Sequence, residues 1–299
     1  MEATFFIPLH MRLSVLLFLS IVCTAWLQQP SSSTCSKKTM AQLVAYAPNR
    51  TEPVWMAHRM APPAVGYAEN SLAALQRSVT HYPCAIVELD VRMTTDSVLV
   101  LLHDDTLSRT TTGTGKLHQQ SFAQIQGLWL KDSRGHVLQE HIPTLDATLR
   151  VAASSHAFLA LDMKSGTHPE RMMQQVAKHN MLEQVMVICY TIAEAQRLHQ
   201  LYPNLMLALG FNDAAQIAQV HQSGIHADRL IALTPRALQP ADYYSGIHQQ
   251  NIPTSFSVFG GMDTLSNEAL PTAFQEMMQR AGDIVCTDSL DRMMRLIKH

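Results

Sequence analysis

Short apolar runs alternate with amphipathic stretches along most of this chain, and this alternation most constrains its fold. The runs are residues 54–58, 85–91, 98–104, 157–163, 185–190, 205–211, 229–233, 252–259 and 284–288. The stretches between them, such as PERMMQQVAKHN and TIAEAQRLHQLY, have helical spacing, and several begin at Ser, Thr or Pro, which suit a helix start. Apolar strands that alternate with helices are typical of βα units around a parallel sheet. The sequence therefore predicts an α/β fold.

The number of runs favours a (β/α)8 TIM barrel. Eight or nine strands over about 245 residues fit the size of that fold. No Gly-rich phosphate fingerprint follows the first run, as a Rossmann domain would require. Two features predict a distorted barrel: the link between 85–91 and 98–104 is too short for a crossover helix, and residues 105–150 are long and polar. We expect an irregular excursion near 105–150.

The N-terminus has the pattern of a signal peptide rather than of a folded element. A basic residue precedes a short apolar run, and small and polar residues follow it. The run is shorter than the roughly 20 residues that cross a bilayer. We expect a signal peptide over 1–27, a polar linker over 28–52 and the barrel over 53–299, in a periplasmic or secreted protein. An uncleaved signal anchor and a lipid-modified Cys23 are the alternatives, and only these would contact a membrane.

Charge and cysteine spacing exclude other classes of protein. Lys and Arg number 22 and Asp and Glu 24, a net charge of −2, so we expect no nucleic-acid partner. No cysteines are spaced as C-x-x-C, which argues against zinc and thioredoxin-like sites. One disulfide can form in an oxidising compartment, but the sequence indicates no pairing. Cys84, Cys189 and Cys286 lie in or beside apolar runs, where we expect buried thiols.

Chemically active residues gather near the ends of the predicted strands. In a barrel, the strand ends of one face converge, and active sites are built on that face. The residues are His58 and Arg59 at the first run, Glu69 and Asn70 at the first helix, Glu88 and Asp90 followed by His103 and Asp104, and Asp162 with Lys164.

The spacing of the acidic residues favours a metal site. Residues i and i+2 of a strand point to the same side, so Glu88 and Asp90 direct two carboxylates into one pocket. By the same argument, Asp162 and Lys164 share a face. A buried acid pair is costly without a cation. Carboxylate oxygens suit one hard divalent cation, Ca²⁺ or Mg²⁺.

The short link after the acid pair determines how the acids meet His103. If residues 91–97 form a tight reversal, antiparallel pairing places residue i opposite residue 191 − i, and Glu88 then faces His103. If the two strands are parallel, both still end at the same rim. Either geometry brings the acids to the histidine.

Two histidines, two basic side chains and three carboxylates together predict phosphoryl chemistry. A cation and Arg59 would neutralise a phosphodiester, while His58 and His103 would act as general base and general acid, in an order that the sequence leaves open. The plainer interpretations are a packed core histidine at His58 and a helix-start charge at Glu69.

Seven short motifs follow one another in a set order over residues 54–292, most densely over 57–115. They are His58-Arg59, Glu69-Asn70-Ser71, Glu88-Leu89-Asp90-Val91, HDDTLSRTT from His103, Ile142-Pro143-Thr144-Leu145, Asp162-Met163-Lys164 and Thr287-Asp288. This order resembles the glycerophosphodiester phosphodiesterase family.

The resemblance implies a distorted TIM barrel with a divalent cation. It also implies hydrolysis of a small-molecule phosphodiester, such as glycerophosphocholine, to glycerol 3-phosphate and an alcohol. The implied roles are metal binding for Glu88, Asp90 and Asp162, acid–base catalysis for His58 and His103, phosphate contact for Arg59 and Lys164, and a further metal ligand or a second-layer group at Glu69.

Three positions depart from the family pattern. Met60 replaces the Gly that usually follows His-Arg, and we expect it to fill space where a substrate often sits. Ala68 replaces a Pro, and Asp162 replaces a Glu in the third metal position, where it is one methylene shorter. Met60 and Asp162 bear on substrate identity and metal affinity, but no chemical function is lost.

Two other functions stay open. A phospholipase D-like or phosphoinositide-cleaving lipid phosphodiesterase shares the two-histidine barrel and should expose apolar loops, although the excursion holds only one apolar cluster near Trp129. A non-catalytic barrel could serve as an envelope binding module. The presence of both histidines and all the acids argues against this last function.

Overall fold

Eight parallel strands close into a barrel in the computed structural model, which describes Cys35, residues 37–62 and residues 65–297. The predicted α/β barrel is confirmed, and every predicted apolar run contains a strand. The signal peptide prediction lies outside the described residues. The barrel strands, in chain order, are β1 (Val54–Ala57), β2 (Ile86–Met93), β6 (Phe158–Met163), β7 (Val185–Ile188), β8 (Met206–Gly210), β9 (Leu230–Leu233), β10 (Thr254–Ser257) and β11 (Ile284–Thr287).

Helices connect the strands and begin at residues suited to that role. Side chains at Ser71, Thr144, Thr191 and Asp213 accept hydrogen bonds from the backbone of the first helical turn. None of the described helices is long and apolar enough to cross a membrane. The helices that pack around the barrel are α2 (Leu72–His81), α4 (Leu145–Ser154), α5 (Pro169–Lys178), α6 (Ile192–Leu201), α7 (Ala214–His221), α8 (Ala241–His248), α9 (Leu270–Ala281) and α10 (Leu290–Ile297).

A tight reversal follows β2, so the antiparallel one of the two predicted geometries is correct. The observed register differs by one residue from the predicted register. Strand β3 (Leu99–Leu101) pairs antiparallel with β2, with Met93 opposite Leu99, so residue i faces residue 192 − i. Ser97 has a φ of 63°, and this left-handed residue lengthens the turn. The expectation that Glu88 faces His103 is therefore wrong.

The irregular excursion after β3 has its own small core. It contains α3 (Phe122–Ile125) and an antiparallel hairpin of β4 (Trp129–Lys131) and β5 (Val137–His141). Its buried apolar side chains include Leu107, Leu117, Ile125, Leu130 and Ile142. The excursion ends before residue 150, because Thr144 already caps α4.

Part of the stretch expected as a linker is a helix packed on the barrel. Met40, Leu43 and Val44 of α1 (Met40–Val44) are buried against first residues of barrel strands, among them Ile86, Phe158, Met206 and Ile284. The spacing of these three apolar residues, one helical turn apart within a polar stretch, explains why they dock. Helix α1 therefore closes the N-terminal end of the barrel.

A disulfide joins Cys35, ahead of α1, to Cys84, just before β2. The expectation of a buried thiol at Cys84 is therefore wrong. Cys189 and Cys286 are buried free thiols, as expected.

Candidate active site

Three carboxylates meet inside the barrel at the C-terminal ends of two neighbouring strands. Asp90 of β2 lies beside Asp162 of β6 in the parallel ladder, and Glu88 is two residues before Asp90 on the same side. Each residue offers an oxygen within 4.8 Å of the others. Glu88, Asp90 and Asp162 are only 3%, 1% and 9% exposed. The structure thus brings together the three acids that the sequence singled out.

Lys164 compensates part of the negative charge in this cluster. Its Nζ lies 2.8 Å from Asp90 Oδ1 and 2.5 Å from Asp162 Oδ2. Burial opposes the charge of Asp90, but the ammonium and the hydrogen bond from Asn70 together outweigh it and lower the pKa of Asp90. Burial, with the repulsion of Asp90 next, raises the pKa of Glu88 well above its ordinary value. Glu88 is therefore the acid whose charge is least compensated.

Asn70 holds Asp90 from the other side. Its Nδ2 donates to Asp90 Oδ2 at 2.6 Å, and its Oδ1 accepts from the Asp90 backbone N–H at 2.9 Å. Asn70 is buried and has a φ of 56°, a left-handed conformation that Asn tolerates better than most residues. The sequence placed Asn70 in a motif but assigned it no role.

The backbone after β1 turns sharply to bring Arg59 to the acids. Arg59, Met60 and Ala61 have φ values of 47°, 70° and 40°. The Arg59 backbone N–H donates to Glu88 Oε2 at 2.7 Å. Met60 is fully buried and packs with Ala74 and Leu75 in the core. The expectation that Met60 fills substrate space is wrong, because this backbone conformation directs its side chain into the core.

His58 is held on two sides. Its Nδ1 lies 2.6 Å from Asp288 Oδ1, after β11, and its ring stacks on Phe259 with centroids 3.8 Å apart. An ionised carboxylate only accepts hydrogen bonds, so Nδ1 carries the proton and Nε2 is left for chemistry. The sequence assigned no role to Asp288 or Phe259, which come from far along the chain.

His103 is held in the same manner by a neighbouring carboxylate. Its Nδ1 lies 2.8 Å from Asp104 Oδ1, and Arg109 Nε donates to Asp104 Oδ2 at 2.6 Å. The hydrogen bonds from Arg109 lower the pKa of Asp104 far below its ordinary value, which keeps Asp104 an acceptor. Arg109 also donates to both oxygens of Glu69, at 2.6 and 2.9 Å. Glu69 thus pairs with Arg109 and lies outside the three-carboxylate cluster.

Tyr190 completes the surroundings of Asp162. It follows β7, and its hydroxyl donates to Asp162 Oδ1 at 2.7 Å, although Tyr190 as a whole is 61% exposed. Burial of the hydroxyl and the nearby Asp162 charge raise the pKa of Tyr190 to about 12. Its position at the end of the apolar run 185–190, where a strand end is predicted, is the sequence signal that points to this site.

The cluster fits a hard divalent cation. The three carboxylates are oxygen donors close enough to share one ion. Asp90 Oδ1 is buried and has no hydrogen bond of adequate geometry, despite the nearby Lys164. A cation would satisfy this oxygen and offset the repulsion that burial imposes on Glu88.

Basic groups lie beside the acids, where a phosphate would bind. Arg59 Nε is buried, lacks a hydrogen bond and lies 3.7 Å from Asp90 Oδ2. Barrel enzymes build their sites at these strand ends. The fold and site together define a (β/α)8 barrel whose C-terminal face suits a cation and a phosphate ester.

Comparison with known proteins narrows this class to one family. The model of the glycerophosphoryl diester phosphodiesterase family matches residues 58–229, more than half of the chain. The chain belongs to this family, as the resemblance of its motifs predicted.

Individual relatives are similar over parts or most of the chain. The Bacillus subtilis (strain 168) protein YhdW, which carries the name of a glycerophosphodiester phosphodiesterase, is 32% identical over 162 residues. That match covers 52% of this chain and 64% of YhdW, so the chain spans less than two thirds of that relative. The crystal structure of a glycerophosphoryl diester phosphodiesterase from Parabacteroides distasonis ATCC 8503 is 28% identical, with a TM-score of 0.78 over 86% of this chain and 90% of that one.

A more distant structure shares the fold. It is an Oleispira antarctica phosphodiesterase in complex with its product sn-glycerol-3-phosphate, and it is 21% identical to this chain. The TM-score is 0.63, over 83% of this chain and 98% of that one.

Proposed function

We propose that this chain is a metal-dependent phosphodiesterase that hydrolyses glycerophosphodiesters to glycerol 3-phosphate and an alcohol. One observation carries the proposal: two histidines, each with Nδ1 fixed by an aspartate, flank a buried cluster of three carboxylates. Family membership supports the same activity. The glycerol 3-phosphate bound to the Oleispira antarctica structure supports this choice of product.

Glu88, Asp90 and Asp162 would hold one divalent cation, Ca²⁺ or Mg²⁺. When bound, the cation supplies positive charge that polarises the phosphoryl group and stabilises the transition state. The oxygen-only donor set is compatible with either metal, since both prefer carboxylate ligands.

Arg59 and Lys164 would bind the phosphate oxygens. The buried Arg59 Nε has no hydrogen-bond acceptor among the described residues, so a phosphate oxygen would satisfy it. Lys164 lies between Asp90 and Asp162 and would face the same group. Both cations would offset the negative charge of the diester.

The two histidines would move the protons. One imidazole takes a proton from the attacking water as its oxygen bonds to phosphorus, and the other gives a proton to the leaving alcohol oxygen as its bond to phosphorus breaks. Asp288 and Asp104 hold the Nδ1 side of each ring, so Nε2 is the nitrogen that reacts. Which histidine is the base stays open.

The predicted export is part of the proposal. The Cys35–Cys84 disulfide supports it, because disulfides persist in oxidising compartments such as the periplasm and the extracellular space. We expect the mature chain to begin between Ala25 and Ser33. N-terminal sequencing that recovers an intact N-terminus from a soluble cytoplasmic pool would contradict export.

A lipid substrate is the second candidate, and one observation favours it. Of the six large apolar residues that are exposed in the described chain, three lie in connections that follow barrel strands at the catalytic face, and two lie in the hairpin of the excursion. They are Val65, Trp129, Val137, Tyr190 and Leu265. Greater activity on lysophospholipid vesicles than on soluble glycerophosphodiesters would favour this candidate.

The activity itself is tested by the release of glycerol 3-phosphate from a panel of soluble glycerophosphodiesters, with and without a chelator. We expect activity that chelation abolishes and that Ca²⁺ or Mg²⁺ restores. Full turnover in excess chelator would remove the cation from the mechanism. No release from any member of the panel would remove the proposed function.

His58→Ala and His103→Ala should each lower turnover by about 10²–10⁴-fold, the usual contribution of a positioned proton donor or acceptor. KM should change far less, because Arg59, Lys164 and the cation still bind phosphate. Each variant should also lose one limb of a bell-shaped pH–rate profile. His136→Ala is the control, since His136 is exposed and also pairs with an aspartate, Asp132, at 3.0 Å. Near-normal turnover in either variant would return that histidine to a structural role.

A further inference from the structure

A cavity of about 320 Å³ lies next to the catalytic face, beyond the ring that stacks on His58. The loop after β10 supplies Phe259, Gly260 and Gly261, and the loop after β9 supplies Arg236. Both loops follow strand C-terminal ends, so the cavity opens on the side of the barrel that carries the acids. It is large enough for a small head group. Its other lining side chains are mostly apolar, so Arg236 supplies the charge of the cavity.

Arg236 lies directly over the aromatic wall of this cavity. Its guanidinium carbon is 4.5 Å from the centre of the Phe259 ring. The imidazole of His58 covers one face of that ring in a parallel stack, so the guanidinium covers the other. A single aromatic ring therefore separates the Arg236 cation from a proposed catalytic residue.

Arg236 is exposed and has no ion pair or hydrogen bond among the described residues. The acidic residue that also lines the cavity, Glu276, is paired with Arg280 at 2.8 Å. The cavity thus presents a positive charge that forms no ion pair with a carboxylate of the described residues. By contrast, each of Arg59, Lys164 and Arg109 forms an ion pair with a carboxylate.

We propose that this cavity is the subsite for the alcohol head group of the substrate, and that Arg236 selects head groups that carry a carboxylate or a phosphate. The inference rests on the proposed function and adds the class of head group to it. The glycerol arm is small and uncharged and has no need of a cation. A charged head group that extends past the edge of Phe259 would meet the guanidinium, which binds planar or tetrahedral oxyanions well.

A quaternary ammonium head group fits this cavity poorly. Recognition of such a cation depends on an open aromatic face. Both faces of Phe259 are already covered, one by His58 and one by Arg236. The positive charge of Arg236 would also repel the head group. Choline esters should therefore be the weaker substrates.

Two substrates that differ only in a carboxylate test the inference. Glycerophosphoserine is glycerophosphoethanolamine with one added carboxylate. We expect kcat/KM of the wild-type protein to be about tenfold or more higher for the serine ester, as a charged hydrogen bond would provide. The ratio should fall to about one in Arg236→Gln and should invert in Arg236→Glu. Arg171→Gln, at an exposed arginine of α5 with no described partner, should keep the wild-type ratio.

The outcomes separate this inference from the proposed function. Turnover of both esters with a ratio near one, or with a ratio that Arg236→Gln leaves unchanged, would overturn the subsite. If neither ester is hydrolysed, the proposed function fails, and titration calorimetry of the same two esters still decides the subsite. Tighter binding of the serine ester that depends on Arg236 would sustain the subsite, and equal binding would overturn it.

Discussion

Among single residues, Glu88 carries the least compensated charge in the site. Burial and Asp90 raise the pKa of Glu88 above its ordinary value of 4.5, so without metal the folded protein keeps the Glu88 proton to a higher pH than the unfolded chain does. A raised carboxylate pKa lowers stability as the pH rises above that ordinary value. Glu88→Gln lacks this loss, and its carbonyl oxygen can still accept from the Arg59 N–H. In chelator, we therefore expect a higher Tm than wild type at pH 7, and a smaller difference near pH 4.5.

With a bound cation, the wild type should have a higher Tm than Glu88→Gln. Ligand binding to the folded state raises Tm, and Glu88→Gln removes one proposed ligand. Added Ca²⁺ or Mg²⁺ should therefore raise the Tm of wild type more than that of the variant. Glu268→Gln, an exposed carboxylate without a described partner, should change neither comparison. Equal Tm values for Glu88→Gln and wild type in chelator at pH 7 would contradict the prediction.

Lys164 should compete with the cation for the carboxylates. Its ammonium lies 2.8 Å from Asp90 and 2.5 Å from Asp162. A cation bound to the same two carboxylates would be close to this ammonium, and like charges repel strongly at short range. Lys164→Met should bind Ca²⁺ or Mg²⁺ more tightly, by about tenfold or more in titration calorimetry. Its metal-free Tm should fall, because the buried acids lose their counter-ion.

Lys178→Met is the matched control for Lys164. The Lys178 ammonium lies 2.9 Å from Asp146, an acid outside the cluster, so its removal should leave cation binding unchanged. Weaker cation binding in Lys164→Met would show that the lysine supports the metal site rather than opposing it.

The acids could be found from the sequence, whereas the side chains that hold the histidines could not. Glu88 and Asp90 stand out because two charges inside an apolar strand need a reason. Asp288 and Phe259 reach His58 only after the barrel closes, and nothing in their local sequence indicates which ring they meet. In the same way, nothing in the sequence around Tyr190 indicates that its hydroxyl contacts Asp162.

Among the elements, the hairpin of β2 and β3 depends on one strained residue. Ser97 has a φ of 63°, a conformation that costs L-residues about 1 kcal/mol and Gly very little. Ser97→Gly should therefore raise the free energy of unfolding by about 0.5–1 kcal/mol in urea denaturation. Thr95→Gly in the same turn, where φ is negative, should lower it. A loss of stability in Ser97→Gly would show that the turn does not carry this strain.

Among the elements, the sequence predicted the strands but not the register of β3 or the presence of helix α1. Apolar runs identified the strands, because a strand buried on both faces has few polar positions. The register of β3 depends on the length of the turn, and the left-handed Ser97 shifts it by one residue. Helix α1 was missed because its apolar residues fill only one helical turn within a polar stretch.

At the scale of the whole molecule, the proposed active site and helix α1 lie at opposite ends of the barrel. The proposed catalytic side chains lie at the C-terminal ends of the strands, whereas α1 packs against the first residues of the same strands. In barrel enzymes the C-terminal face carries the catalytic residues, and the N-terminal face contributes to stability. The motifs are densest over residues 57–115, so the sequence described the catalytic face better than the closed one.

The Cys35–Cys84 disulfide should therefore contribute to stability without affecting the site. It links positions 49 residues apart, and a cross-link of that span restrains the unfolded chain by up to about 4 kcal/mol. Cys35→Ser with Cys84→Ser should lower Tm by about 10 °C. Cation affinity and kcat should stay at wild-type values, because the bond lies at the opposite end of the barrel. A reducing agent should bring wild type to the Tm of the double variant and leave that variant unchanged, since Cys189 and Cys286 are already free. An unchanged Tm would mean that packing of Met40, Leu43 and Val44 alone holds α1 in place, whereas a fall in kcat below the melting range would couple the two ends of the barrel.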